Sequence, residues 1–155
     1  MVGHSRRSFL SLALSGGLSA VAFGAGLLPT LVGAVEKRAA FAADGVAAAL
    51  EALGLNEHQA STKINLKLPE IAENGAAVPV EIESKLPNTR SISILVEKNP
   101  HAMSAEFNFP EGTEPFVATR VKVAESSLIH VVVKTDAGVF HTSKLVKVTL
   151  GGCGG

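Results

Sequence analysis

The sequence predicts an all-β fold, an immunoglobulin-like β-sandwich with a short N-terminal helix and a flexible C-terminal Gly-Gly-Cys-Gly-Gly arm. Two patterns predict the sandwich. Apolar and polar residues alternate with a period of two in several short segments, and Pro, Asn and Gly separate these segments at regular spacing. The length of 155 residues allows one domain with a modest core.

The first 42 residues are typical of a cleaved export signal and are excluded from the fold. Their arginine pair, Arg6 and Arg7, resembles the twin-arginine export motif, and a long uncharged run of moderate hydrophobicity follows it. The small-x-small segment 40–42 predicts cleavage after Ala42, which would deliver the protein to the periplasm with no remaining membrane segment. A retained anchor is the alternative, because the uncharged run is long enough to cross a bilayer.

The export route also suggests a partner. Proteins exported by the twin-arginine route are already folded, usually because they hold a cofactor or a second subunit. The mature part of this chain shows no obvious cofactor site, so we expect a partner subunit that folds with it.

The charge pattern argues against nucleic-acid binding. Residues 43–150, taken as the β-sandwich domain, and the arm 151–155 together hold ten basic and thirteen acidic residues. No dense basic patch occurs. The chain has no Trp and no Tyr, so aromatic platforms for stacking bases are few.

The first element of the mature chain is a predicted helix over Gly45–Leu53, where Val46, Leu50 and Leu53 recur at helical spacing. Asp44 stands at the N-cap position, and Gly54 follows where the helix should end.

Five strands are predicted next from alternation. They are centred on Ile64, Leu66 and Leu68; on Val78, Val80 and Ile82; on 91–96; on Met103, Ala105, Phe107 and Phe109; and on Val117, Thr119, Val121 and Val123. Pro79 cannot donate a backbone hydrogen bond, which predicts that its strand lies at a sheet edge or starts at a bulge.

The last third of the chain predicts the centre of the sheet. Leu128–Lys134 is nearly all apolar, as in a strand covered on both faces. A hairpin turn at 136–138 leads into a short strand at 139–141. A separate last strand, Ser143–Leu150, then connects directly to the glycine-rich tail.

Histidines and catalytic motifs give no enzyme prediction. His58, His101, His130 and His141 lack metal-ligand spacing, so we expect no metal site and no cofactor. His130 is expected to be hydrogen-bonded and partly buried, while His58 and His101 fall in loops. No Ser-His-Asp spacing, phosphate-binding loop or dinucleotide fingerprint occurs.

The tail Gly151-Gly152-Cys153-Gly154-Gly155 is the most informative segment. Its cysteine is the only one in the chain, and glycines on both sides make a flexible hinge. Fully extended, the five residues reach roughly 17 Å. An exposed, unpaired thiol is unusual in an oxidising compartment. A thiol carried to the active sites of other proteins would explain it.

Three alternatives for the tail stay open at this point. The cysteine can be incidental in a disordered tail, or it can form an inter-chain disulfide in an exported structural β-sandwich protein. A ubiquitin-like carrier would instead use the carboxylate of Gly155. That class needs ATP, which the periplasm lacks, and a fold with a central helix.

Taken together, the export signal, the β-rich body and the tail resemble the SoxY family, the sulfur-carrier subunits of the bacterial thiosulfate-oxidising Sox system. The tail 148–155 matches the GGCGG ending of that family at every position. Segments 74–80, 98–100 and 119–122 resemble further recurrent stretches. The likeness covers essentially the whole chain, and the tail is its specific part.

The resemblance implies a non-catalytic carrier without a cofactor, in which Cys153 is the attachment point for sulfur intermediates. It implies a heterodimer with a SoxZ-like β-sandwich subunit that has no export signal. It further implies three periplasmic enzymes that visit the thiol: a haem c-type cytochrome that couples thiosulfate to it, a dimanganese hydrolase that removes sulfate, and a molybdenum–haem sulfane dehydrogenase.

Overall fold

The computed structural model describes residues 38–149. Residues 38–42 are helical, helix α1 spans Gly45–Ala52, and a 3-10 helix spans Gly75–Ala77. The described strands are β1 (Gln59–Ala60), β2 (Ile64–Lys67), β3 (Ile71–Ala72), β4 (Val78–Ser84), β5 (Thr89–Val96), β6 (Met103–Asn108), β7 (Phe116–Val121), β8 (Ser127–Thr135) and β9 (Gly138–Val148).

The strands form two sheets. The larger has the order β1-β9-β8-β5-β6, with β3 also paired to β9, and the smaller has the order β2-β4-β7. Only β1 and β3 pair in parallel, both on the outer edge of β9, and the other described pairings are antiparallel. The predicted immunoglobulin-like sandwich is therefore confirmed.

The main core lies between the two sheets, where alternate residues of each strand meet. Ile92, Ile94 and Val131 of the large sheet are fully buried, as are Val78 and Ile82 of the small sheet. Burying one such side chain stabilises the fold by roughly 1.5–3 kcal/mol.

Helix α1 covers part of the other face of the large sheet. Ala49 and Leu50 of the helix pack in one cluster with Leu95 and Val132. Gly54 has a φ of +64°, a left-handed conformation that suits the end of a helix. The predicted helix and its termination are confirmed.

Asp44 occupies the predicted N-cap position, but its side chain makes no capping hydrogen bond. Its carboxylate lies 3.6 Å from Nδ1 of His101 instead, and the two residues form an isolated β-bridge. The backbone bridge turns the side chain towards the loop that holds His101.

Alternation in the fourth predicted strand places Met103 on one face with Ala105 and Phe107, and this prediction was wrong. The register between β5 and β6 shifts between Ile94 and Leu95. An extra residue at such a bulge reverses the side-chain alternation. Met103 therefore packs in the helix-side cluster, whereas Ala105 and Phe107 pack against the core between the sheets.

The prediction that the strand of Pro79 lies at a sheet edge or starts at a bulge was wrong. Strand β4 is the central strand of its sheet. The pairing of β2 with β4 ends at Lys67 and Glu81, however, so Pro79 has a strand partner only in Arg120 of β7. No neighbouring strand on the β2 side requires the N–H that proline lacks.

Two strands predicted after the hairpin are one. The structure joins 139–141 and the segment from Ser143 into the eleven-residue β9. The double covering predicted for β8 holds at Val131, Val132 and Val133, while Leu128 is exposed and His130 is half-buried. Helix α1 covers the outer face of β8 around Val132, in the middle of the strand, and leaves Leu128 and Lys134 exposed near its ends.

The predicted cleavage after Ala42 stays a prediction. Ala40 is fully buried in the cluster with α1. Cleavage after Ala42 would therefore remove one buried side chain, that of Ala40, from this cluster. Among the described residues, no helix is both long and apolar enough to cross a bilayer.

Candidate functional site: the base of the C-terminal arm

The predicted attachment residue and its arm lie just beyond the part of the chain that the structure describes. Cys153 and the glycines Gly151, Gly152, Gly154 and Gly155 follow Thr149, the last described residue. The export arginines Arg6 and Arg7 also lie outside the described range. For all of them the sequence-based roles stay predictions, and the structure supplies the base from which the arm departs.

Strand β3 fixes one side of this base. Its pairing with β9 lets the N–H of Lys147 donate to the carbonyl of Glu70 at 2.9 Å, and the N–H of Thr149 to that of Ala72 at 3.1 Å. The hydroxyl of Thr149 donates to the carbonyl of Glu73 at 3.4 Å. The chain is therefore held by hydrogen bonds up to four residues before Cys153.

Ser126 fixes the other side. Its hydroxyl accepts a hydrogen bond from the N–H of Val148 at 2.9 Å. The neighbouring loop is tied to a turn by Asn99, whose Nδ2 donates to the carbonyl of Lys122 at 2.8 Å and whose Oδ1 accepts from the N–H of Ala124 at 2.9 Å. Ser126 thus holds the end of β9 from the β8 side, and Asn99 holds the neighbouring loop in place.

The turn between β3 and β4 completes the base. The Oδ1 of Asn74 accepts from the N–H of Ala76 at 2.8 Å, which caps the 3-10 helix. The carbonyl of Gly75 accepts from the N–H of Val123 at 2.7 Å. The motif residues Asn74, Gly75 and Asn99, singled out in the sequence, therefore meet at one end of the sandwich and organise the loops around the arm.

An exposed apolar surface lies beside this base. Ile71, Leu128 and Leu145 are 58%, 36% and 50% exposed. Leu128 lies opposite Leu145, and Ile71 lies opposite Lys147, which shares a face with Leu145. We call these three apolar residues the exit patch. Sequence reasoning missed it, because Leu128 and Leu145 are each adjacent to a core residue in an apolar segment.

The opposite end of the sandwich has different features. A cleft of about 390 Å³ lies between the turn 86–90 and the loop 110–115. Both nitrogens Nε and Nη2 of Arg90 donate to the carboxylate of Asp136 at 2.7 Å. This hydrogen bond lowers the pKa of Asp136 and raises that of Arg90. Both side chains are about half exposed, and the pair ties the start of β5 to the turn between β8 and β9.

The surroundings of one described histidine were predicted correctly, and a contact between two others was not predicted. Nε2 of His130 lies 3.2 Å from the carboxylate of Glu97, and the half-buried, hydrogen-bonded state expected of it is confirmed. His58 and His141 lie together, which the sequence did not predict. Within residues 38–149, no group of three or more His, Cys, Asp or Glu residues could hold a metal ion.

Comparisons with known proteins agree with this architecture. A family model for the sulfur oxidation protein SoxY matches residues 50–153. The solved structure of the sulfur carrier protein SoxY from Chlorobium limicola f thiosulfatophilum is 35% identical, with a TM-score of 0.58, over 64% of this chain and 93% of that one. None of the curated proteins matches the chain.

A second solved structure shares the fold alone. The superoxide reductase (neelaredoxin) from Ignicoccus hospitalis is 21% identical, with a TM-score of 0.50, over 56% of this chain and 80% of that one.

The sandwich and its anchored last strand, with the sulfur-carrier likeness, define a β-sandwich carrier protein of sulfur oxidation. More particularly, the chain belongs to the SoxY family. Its partners are therefore those of a Sox system, which is generally periplasmic.

Proposed function

We propose that this protein carries sulfur intermediates covalently on the thiol of Cys153, at the end of a swinging C-terminal arm. The observation that carries the proposal is the family match, which runs to residue 153 and so includes this cysteine. The related Chlorobium protein is described as a sulfur carrier. The base described above supports the same proposal, because its hydrogen bonds hold the chain firmly at Thr149, four residues before the thiol.

The length of the arm suits delivery into other active sites. Four residues beyond Thr149 let the thiol reach up to about 14 Å from the end of the sandwich. Glycines on both sides of Cys153 keep the segment narrow and free to bend. The rigid base limits the volume that the thiol can reach. The thin arm still lets the thiol enter a deep pocket.

The chemistry begins with the thiolate, which is the nucleophilic form of cysteine. Coupling to thiosulfate forms one S–S bond, releases the thiol proton and passes two electrons to the haem c-type cytochrome. Water then cleaves the terminal S–SO₃ bond at the dimanganese hydrolase, which releases sulfate and leaves a persulfide on Cys153. The sulfane dehydrogenase would oxidise the remaining outer sulfur.

The exit patch is the surface that those enzymes would contact. An enzyme that binds a thiol within about 14 Å of Thr149 must approach this end of the sandwich. Exposed Ile71 and Leu145 offer it apolar area beside the arm. A SoxZ-like subunit would accompany the chain through twin-arginine export and form the heterodimer.

Intact-mass analysis tests the proposal. Incubation of the mature protein with thiosulfate and the haem c-type cytochrome should add one thiosulfonate group to the wild-type chain and nothing to Cys153→Ser. The variant should keep the wild-type melting temperature and lose sulfur oxidation. Normal sulfur oxidation by Cys153→Ser would refute the proposal.

Two controls separate the alternatives. Deletion of Gly155 should leave thiosulfonate loading intact, whereas a carrier acting through its terminal carboxylate would lose all function. A disulfide-linked dimer as the main species, active in the dimeric form, would favour the structural alternative.

A further inference from the structure

His58 and His141 meet on the edge of the large sheet although 83 residues separate them. The parallel pairing of β1 with β9 aligns Ala60 with His141, and the N–H of Ser61 donates to the carbonyl of His141 at 3.0 Å. The Nδ1 atoms of the two rings are 2.8 Å apart. The ring centroids are 4.4 Å apart, and the planes make an angle of 76°.

These separations fit an arrangement in which both ring nitrogens face one common point. A straight N–H···N bond of this length would place the centroids about 5 Å apart, so the observed 4.4 Å means that the rings meet at a bent angle. If both nitrogens face one common point, the distances between the nitrogens and between the centroids put that point about 2.0 Å from each nitrogen. This is the usual metal–imidazole distance.

The angle subtended at that point is about 90°, which is the angle between neighbouring ligands in tetragonal copper(II) and nickel(II) complexes. Tetrahedral zinc sites require a wider angle. The two imidazoles therefore have the spacing of adjacent ligands in a tetragonal site.

We propose that His58 and His141 form a binding site for a divalent late transition metal, with copper(II) as the best-fitting ion. The two Nδ1 atoms are neighbouring ligands, and water fills the other positions. Imidazole nitrogen suits copper and nickel, and copper(II) binds most tightly among the divalent first-row ions at a given nitrogen site.

This site is independent of the proposed carrier thiol on the same chain. Eight residues of extended chain, about 26 Å, separate His141 from Thr149. The arm brings Cys153 back by at most about 14 Å. The thiol of the same molecule therefore cannot serve as a third ligand, and the metal site can be tested without it.

The experiment uses the mature protein carrying Cys153→Ser, which excludes copper binding and oxidation at the thiol. Titration with copper(II), followed by calorimetry and electron paramagnetic resonance, should show one tetragonal site with hyperfine coupling to two imidazole nitrogens. Adding His58→Ala or His141→Ala should weaken binding at least tenfold and remove the coupling. The matched control His101→Ala removes an exposed histidine elsewhere and should leave both unchanged.

Folding is checked by circular dichroism, and His58→Gln provides a second variant that keeps side-chain bulk and polarity. Copper(II) should raise the melting temperature of the parent protein and of His101→Ala, and should leave that of His58→Gln unchanged. Binding that persists equally in folded His58→Ala or His58→Gln, or a copper spectrum without histidine nitrogens, would overturn the proposal.

Discussion

The two ends of the sandwich use polar side chains for different tasks. At the arm end, the hydroxyls of Ser126 and Thr149 bond to backbone groups and fix the end of β9. The amide of Asn99 does the same for the neighbouring loop. At the far end, the charged pair Arg90 and Asp136 ties β5 to a hairpin turn beside an open cleft. One end positions a terminus, and the other only connects strands.

Hydrogen bonds between segments distant in sequence occur at both ends. Arg90 and Asp136 are 46 residues apart at the far end, and Ser126 and Val148 are 22 residues apart at the arm end. Only the bonds at the arm end hold the strand that leads into the arm. Changes there should therefore affect function more than equal changes at the far end.

The largest effect is expected from shortening the arm. Deletion of Gly151 and Gly152 withdraws the thiol by about 7 Å, so steady-state sulfur oxidation should fall at least tenfold while the melting temperature stays unchanged. Replacement of the same two glycines by alanines keeps the reach and should cost less. Full activity of the deletion variant would contradict the division between the two ends.

The next largest effect is expected at the exit patch. Leu145→Asp places a charge beside the arm and should raise the KM of the partner enzymes for the carrier about tenfold. The matched control is Phe116→Asp at the far end, since Leu145 and Phe116 are 50% and 49% exposed. Both variants should unfold within about 0.5 kcal/mol of the wild type. Equal kinetic effects of the two substitutions would remove the exit patch as a docking surface.

A smaller, paired effect is expected from the anchoring hydroxyls. Ser126→Ala leaves the N–H of Val148 without its partner and should cost about 1–2 kcal/mol in urea unfolding. Thr135→Val removes a hydroxyl that accepts from Ala137 and donates to Gly138 in the far hairpin, at a similar cost.

Activity should separate these two variants. Ser126→Ala should lower sulfur oxidation severalfold and speed amide exchange at Val148, because the base of the arm loosens. Thr135→Val should leave activity unchanged. If both variants lost sulfur oxidation in proportion to their loss of unfolding free energy, the two ends of the sandwich would not differ in their effect on function.

The smallest effect is expected from the pair Arg90 and Asp136. The hydrogen bond from Arg90 lowers the pKa of Asp136 below its usual 3.8. Stabilisation by a group with a lowered pKa is present above the usual pKa and is lost as the pH falls through the folded-state value.

Asp136→Asn should therefore melt slightly below the wild type at pH 7, and the difference should vanish in strong acid. Glu125→Gln is the control at the arm end, where the carboxylate makes one contact of 3.8 Å with Lys98. Its melting temperature should change less. A difference for Asp136→Asn that grows on acidification would contradict this account.

Alternation and turn residues predicted most of the sandwich because both are local signals. The segments around Ile64, Val80 and Val117 each alternate over one strand, and the structure pairs these three strands in one sheet. The bulge that redirects Met103 could not be predicted, since the register shift arises from pairing with β5. The continuity of β9 was missed because Thr142 and Ser143 interrupt its apolar pattern.

The reactive group of the candidate site could be predicted from the sequence. The hydrogen bonds that hold the base of the arm could not. A lone cysteine among glycines is visible in the sequence. The contacts of Thr149 with Ala72 and Glu73 join segments more than 70 residues apart, and no local pattern reports them. The meeting of His58 and His141 depends in the same way on a parallel pairing that only the fold brings about.

The position of β9 in the large sheet has a consequence for folding. Strand β9 is the last described strand in chain order, and it joins β8 to both short parallel strands, β1 and β3. Pairing between segments distant in sequence is slow to form. Completion of the large sheet should therefore wait for β9 to pair, and the same step sets the base of the arm in place.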